Sequence, residues 1–122
     1  MRKLYLLSVL ILFVSLGKAQ GNLQFNQVIT YSLTSGTPQA FTVPAGKAWK
    51  VETAGISLSG SSAIYLRNGA GTQISCLVQN NSSGYPYYNT VFPLWLNENF
   101  QGQFYAAGCT GIISIIEFNI VP

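Results

Sequence analysis

The sequence predicts an all-β protein: a single jelly-roll-like β-sandwich of about eight antiparallel strands, with an immunoglobulin-like sandwich as the alternative. Three observations predict it. Apolar and polar residues alternate with period two along most of the chain, and nowhere do apolar residues recur at helical spacing among helix formers. Turn signals return about every eight to twelve residues, as in sandwiches and barrels. The 122-residue length suits one domain.

The strands follow in order. From Leu23 to Leu33, Leu23, Phe25, Ile29, Tyr31 and Leu33 share one parity, against Gln24, Asn26, Thr30 and Ser32. Ser35-Gly36-Thr37-Pro38 is a turn cluster, and Phe41 and Val43 mark a short strand. Pro44-Ala45-Gly46-Lys47 is a tight turn, with proline presetting φ and glycine free to take positive φ. Trp49, Val51 and Thr53 then alternate with Lys50 and Glu52, and the parity flips near Ala54-Gly55, which predicts a β-bulge before Ile56 and Leu58. Ala63 to Arg67 is a short strand closed by the hairpin signal Asn68-Gly69. Thr72 to Val78 follows, with Ile74, Cys76 and Val78 on one face. Asn80 to Asn89 is the longest polar loop. Val91 to Leu96 is a strand whose Pro93 predicts an edge or a bulge. Phe100 to Tyr105 is another. Ile112 to Val121 is apolar on both faces, which predicts a central strand buried on both sides.

The N-terminus has a different pattern. Met1-Arg2-Lys3 precedes an apolar run from Leu4 to Leu16, and Gly17-Lys18-Ala19 supplies small residues for cleavage. This predicts a secretory signal peptide at residues 1–19, cut after Ala19, with residues 20–122 as one β-sandwich domain. The run falls short of the roughly 20 apolar residues a spanning helix needs, so no membrane span is expected after cleavage. The product is expected in the periplasm, on the cell surface or outside the cell. The start and the Ala19-Gln20 junction resemble exported proteins of the Bacteroidota.

That segment also explains the charge. The formal net charge of +3 and pI near 9.0 belong to the whole chain. Arg2, Lys3 and Lys18 leave with the signal, and Lys47, Lys50 and Arg67 then balance Glu52, Glu98 and Glu117. Nucleic-acid binding rests on several cations neutralising phosphates, so no nucleic-acid partner is expected.

Histidine and aspartate are absent from the chain. A Ser-His-Asp assembly cannot be built, the three glutamates are far apart in sequence, and neither Lys47 nor Lys50 sits in a serine-plus-lysine motif. Zinc and calcium sites lack their usual ligands, and no glycine loop leads into a helix to cradle a phosphate. No catalytic residue, metal or cofactor is therefore assigned, and the protein is read as a non-enzyme.

Cys76 and Cys109 are the two cysteines. Export favours a disulfide between them, stabilising on the order of 3–4 kcal/mol. The competing reading is a small buried hydrophobe at Cys76 and a loop thiol at Cys109. In the polar loop, Tyr85, Tyr87 and Tyr88 are too many rings for the core to take easily. With Trp95 and the amides of Asn80, Asn81 and Asn89, they suit sugar stacking or a protein contact; the bland reading folds them onto the sandwich.

Two segments carry a family resemblance. Phe41-Thr42-Val43-Pro44-Ala45-Gly46-Lys47-Ala48-Trp49-Lys50-Val51 resembles the VPAGK strand-turn-strand of small β-sandwich domains in bacterial exported proteins and phage fibre and decoration proteins. Gly111 to Ile120 is similar to the last strand of such domains. The resemblance implies a trimer-prone jelly roll used for structure or attachment, and it transfers no catalytic residue.

Two functions are expected from these readings. The first is an exported, non-catalytic structural or attachment module that associates with itself or with another surface protein. The second is a carbohydrate-binding module using the tyrosine-rich loop 80–89.

Overall fold

The computed structural model describes residues 22–57, 60–80, 86–87 and 92–121. The signal-peptide reading of residues 1–19 lies outside them.

Among the described residues nine strands run in chain order: β1 (Asn22–Leu33), β2 (Gln39–Thr42), β3 (Lys47–Ile56), β4 (Ser62–Asn68), β5 (Gln73–Asn80), β6 (Pro86–Tyr87), β7 (Leu94–Leu96), β8 (Gln101–Ala107) and β9 (Gly111–Val121). They form a four-stranded sheet of order β1-β9-β3-β7 and a five-stranded sheet of order β2-β8-β4-β5-β6. Every pairing between these strands is antiparallel. With the two-residue β6 set aside, the pairs nest: β1 with β9, β2 with β8, β3 with β7, β4 with β5. A long antiparallel hairpin rolled up in this way is a jelly roll. The nesting differs from the immunoglobulin order, which is thereby set aside.

The connections follow from local chemistry. Asn68 closes the β4–β5 hairpin: its side-chain oxygen accepts the Thr72 N–H at 2.8 Å and its carbonyl accepts the Gly71 N–H at 2.9 Å. The Pro44–Lys47 turn also forms, with Gly46 at φ 71° and the Lys47 N–H donated to the Pro44 carbonyl. Its flanking strands lie in different sheets, so it is an arch from one layer to the other. Pro93 immediately precedes β7, an edge strand, as a residue without an N–H requires.

Between the sheets lies one core. Phe41 stacks on Phe104 with ring centroids 4.5 Å apart and on Trp49 at 5.3 Å, and Tyr31 tilts against both Phe104 and Trp49. Val51, Ile64, Leu77, Val78, Ile113 and Ile115 fill the space around them.

Three expected parities are corrected, each at a bulge. In β1 the register shifts between Phe25 and Gln27, so Asn26 is an extra residue; Leu23 and Phe25 are exposed, while Ile29, Tyr31 and Leu33 pack inward. In β3 the shift falls between Val51 and Thr53, ahead of the expected Ala54-Gly55, so Thr53 points out and Ala54 is buried. In β5 one shift, at Leu77, separates half-buried Cys76 from Val78 in the core, and a second falls at Ile74, which is exposed. The fourth correction concerns β9. It is central in its sheet, yet the sandwich covers only one of its apolar faces.

Candidate functional site

Among the described residues, those singled out from the sequence do not converge. Tyr85, Tyr88, Asn81 and Asn89 lie outside the described residues. The Tyr87 backbone pairs with Gln79 at the margin of the five-stranded sheet. Asn80 is buried and donates its amide to the Gly60 carbonyl at 2.9 Å, which ties β5 to the turn before β4. Trp95 lies on β7, in the opposite sheet.

The expected disulfide is not formed: no bond joins Cys76 to Cys109. Cys109 sits in the core, its thiol 3.7 Å from the Ala63 carbonyl, and burial pushes its pKa up despite hydrogen bonds with Ser62 and Ala63. Cys76 pairs in register with Tyr65 on the outer side of the same sheet, so the sheet itself separates the sulfurs.

What the fold does assemble is an apolar surface. The exposed large hydrophobics among the described residues are Leu23, Phe25, Val28, Ile74, Trp95, Ile112 and Ile120, and all but Ile74 belong to the outer face of the four-stranded sheet. Register explains their clustering. Leu23 opposes Ile120, Phe25 opposes Phe118, and Val28 opposes Ile116. Trp95 leans across the sheet to Phe118, with ring centroids 5.6 Å apart. Phe25 is 63% exposed, Val28 60%, Ile112 48% and Trp95 46%, so among the described residues nothing covers this face. Its charged residues pair with each other: Lys50 meets Glu52 at 2.6 Å, and the Lys50 ammonium lies 5.9 Å from the Trp95 ring.

The bulge that exposes Leu23 and Phe25 is anchored by a buried carboxylate. Glu117 alternates inward with Ile113 and Ile115 and is 3% exposed. Its Oε1 accepts from Asn26 Nδ2 at 2.6 Å and Gln27 Nε2 at 2.9 Å, and its Oε2 accepts from Trp49 Nε1 at 2.7 Å. Burial acts to raise its pKa. The three donors and the nearby Lys47 charge outweigh burial and hold it below the ordinary value. Lys47 itself hydrogen-bonds Asn119. The same carboxylate helps to raise the pKa of Tyr31, after burial as the main cause.

The other two glutamates are engaged elsewhere, Glu52 by Lys50 and Glu98 by the Gly46 N–H at 2.6 Å. Among the described residues, no three His, Cys, Asp or Glu side chains gather where they could hold a metal ion, and no helix is long and apolar enough to cross a membrane.

The outer face of the five-stranded sheet differs. Tyr65 pairs with Tyr105 across β4 and β8, and the Arg67 guanidinium lies 3.6 Å from the Tyr105 ring centroid. Beside them is a depression of about 240 Å³. Sequence reading finds neither face. The signal for the apolar one is nonetheless present: two adjacent polar residues, Asn26 and Gln27, interrupt the β1 alternation, and β9 is apolar on both sides.

No protein-family model matches the chain, and no curated protein matches it.

Proposed function

We propose that the protein is an exported, non-catalytic structural module that assembles with copies of itself through the outer face of the four-stranded sheet. The carrying observation is the concentration of exposed large hydrophobics on that one face. Contiguous apolar patches of this kind on a soluble domain mark interaction sites. A central strand apolar on both faces is ordinarily covered on both, and β9 is covered on one. A second copy fits the electrostatics. Lys47, Lys50 and Arg67 balance Glu52, Glu98 and Glu117, and the Lys50–Glu52 pair on the face is internally neutral, so two copies meet without net repulsion. The N-terminal pattern supports export, and the VPAGK resemblance supports a role in a surface assembly.

The test is the mass in solution. Light scattering on residues 20–122 at micromolar concentration is expected to give a dimer or trimer. The double variant Phe25→Glu/Val28→Glu is expected to be monomeric with unchanged circular dichroism. A strictly monomeric wild-type protein overturns the proposal.

A further inference from the structure

We infer that the depression on the outer face of the five-stranded sheet binds a neutral sugar ring. It lies on the opposite side of the sandwich from the proposed assembly face and does not depend on that reading.

The shape comes from one cross-strand pair. Ala63 opposes Ala107 on β4 and β8, and the next outward pair along the same strands is Tyr65 with Tyr105. The two alanine methyl groups beside the Tyr65 ring leave a sunken floor with one aromatic side. Tyr65, Ser61, Ser62, Gly108 and, from β5, Gln79 complete the lining. Among the described residues the lining contains hydroxyls and an amide and no charged side chain. Arg67, the nearest cation along β4, is stacked on Tyr105.

These groups match a pyranose. A sugar ring has an apolar C–H face, which packs on an aromatic side chain, and a rim of hydroxyls, which need donors and acceptors such as a glutamine amide and serine hydroxyls. An uncharged lining selects a neutral ring over a uronic acid, because a carboxylate would lose solvation without a partner. The volume, about 240 Å³, lies below the range of pockets for drug-sized ligands, so it accommodates one ring. Few contacts imply a weak single site, with Kd on the order of 1 mM. Self-assembly through the opposite face would repeat the depression on every copy, and repeated weak sites gain by avidity. The register adds one neighbour: the Tyr87 backbone on β6 stands opposite Gln79.

The experiment is a ¹H–¹⁵N titration of residues 20–122 with the methyl glycosides of glucose, galactose, mannose and N-acetylglucosamine. Methyl glucuronide serves as the anionic comparison. At least one neutral glycoside is expected to shift the amides of Ala63, Tyr65, Gln79 and Gly108 saturably. Tyr65→Ala is expected to weaken that binding about tenfold. Ala107→Leu, which fills the floor from an outward position, is expected to abolish it while leaving the remaining spectrum in place. No saturable shift with any neutral glycoside overturns the inference. So does binding that Ala107→Leu leaves unchanged, or binding in which the glucuronide is preferred.

Discussion

Trp49 and Glu117 are direct cross-strand partners on β3 and β9, and the indole N–H of the first donates to Oε2 of the second at 2.7 Å inside the sandwich. The other carboxylate oxygen holds Asn26 and Gln27, the residues at the β1 bulge. One buried charge thus ties the three adjacent strands β1, β9 and β3 together. It also fixes the register of the strand that displays Leu23 and Phe25.

This makes stability acid-sensitive in a defined direction. The folded-state pKa of Glu117 is lowered from an ordinary 4.5, so the native state favours the ionised form. The stabilisation is complete above the ordinary value and is lost as pH falls below it through the folded value. Glu117→Gln places an amide where three donors converge. It is expected to cost about 2 kcal/mol at pH 7, as for a charged hydrogen-bond acceptor lost in a buried site. Urea denaturation between pH 7 and pH 3 should show the stabilities of the wild type and the Glu117→Gln variant converging at the acid end. A difference that stays constant across that range would contradict the assignment.

The bulge itself predicts the effect of a deletion. Asn26 is the extra residue between Phe25 and Gln27 in the pairing with β9. Removing it closes the bulge: Phe25 then directly precedes Gln27, stays opposite Phe118, and residues 22–25 keep their faces, whereas removing Gln27 as well shifts them by one position and exchanges their faces. Deletion of Asn26 alone is expected to retain self-association, and deletion of Asn26 together with Gln27 is expected to weaken it, because Phe25 and Leu23 then leave the outer face. Asn26→Ala keeps the residue count and is expected to retain assembly, with about 1 kcal/mol lost from the hydrogen bond. Sedimentation velocity on the variants separates the outcomes, and equal association by the single and the double deletion would sink the register argument.

These residues show how far the sequence can be read. The sheet class, the strand positions and the Asn68 hairpin are legible because period-two alternation and turn chemistry are local. Greek-key pairing is legible only as a class. The nesting of β1 with β9 joins the two ends of the domain, and no local pattern encodes it. The bulges are harder. A single extra residue reverses every later side chain, and an alternating pattern reads smoothly through Phe25 to Ile29 unless the adjacent Asn26 and Gln27 are given weight. Cys76 and Cys109 defeat sequence reading for a similar reason. Count and compartment favour a bond, but which face a thiol takes depends on the β5 bulges.

Close packing of the core predicts a cost at Gly102. A Cβ there would lie 2.7 Å from Phe41 Cζ, 2.8 Å from Phe100 Cε1 and 3.1 Å from the Arg67 carbonyl. Phe41 is already fixed between Trp49 and Phe104, so it cannot yield easily. Gly102→Ala is expected to destabilise by about 1–3 kcal/mol through overpacking. Gly69→Ala, whose nearest neighbour is the Gln101 side chain at 3.4 Å, is expected to cost less. Thermal melts of the two variants compare them directly, and equal melting temperatures would contradict the packing account.

The two tryptophans report assembly independently. Trp49 is buried, with its indole N–H bound to Glu117, and Trp95 is exposed beside Phe118 on the apolar face. In a Trp49→Phe variant the remaining fluorescence comes from Trp95 alone. If copies stack on this face, acrylamide quenching of Trp95 is expected to fall and its emission to shift blue as concentration rises through the association range. The Phe25→Glu/Val28→Glu substitutions, made in the same background, are expected to hold quenching at the dilute level at every concentration, because they place charge beside Phe118 and Ile116, their cross-strand partners. Quenching that ignores concentration in a protein shown by light scattering to associate would move the interface off this sheet. In that case the uncovered side of β9 would need a different partner.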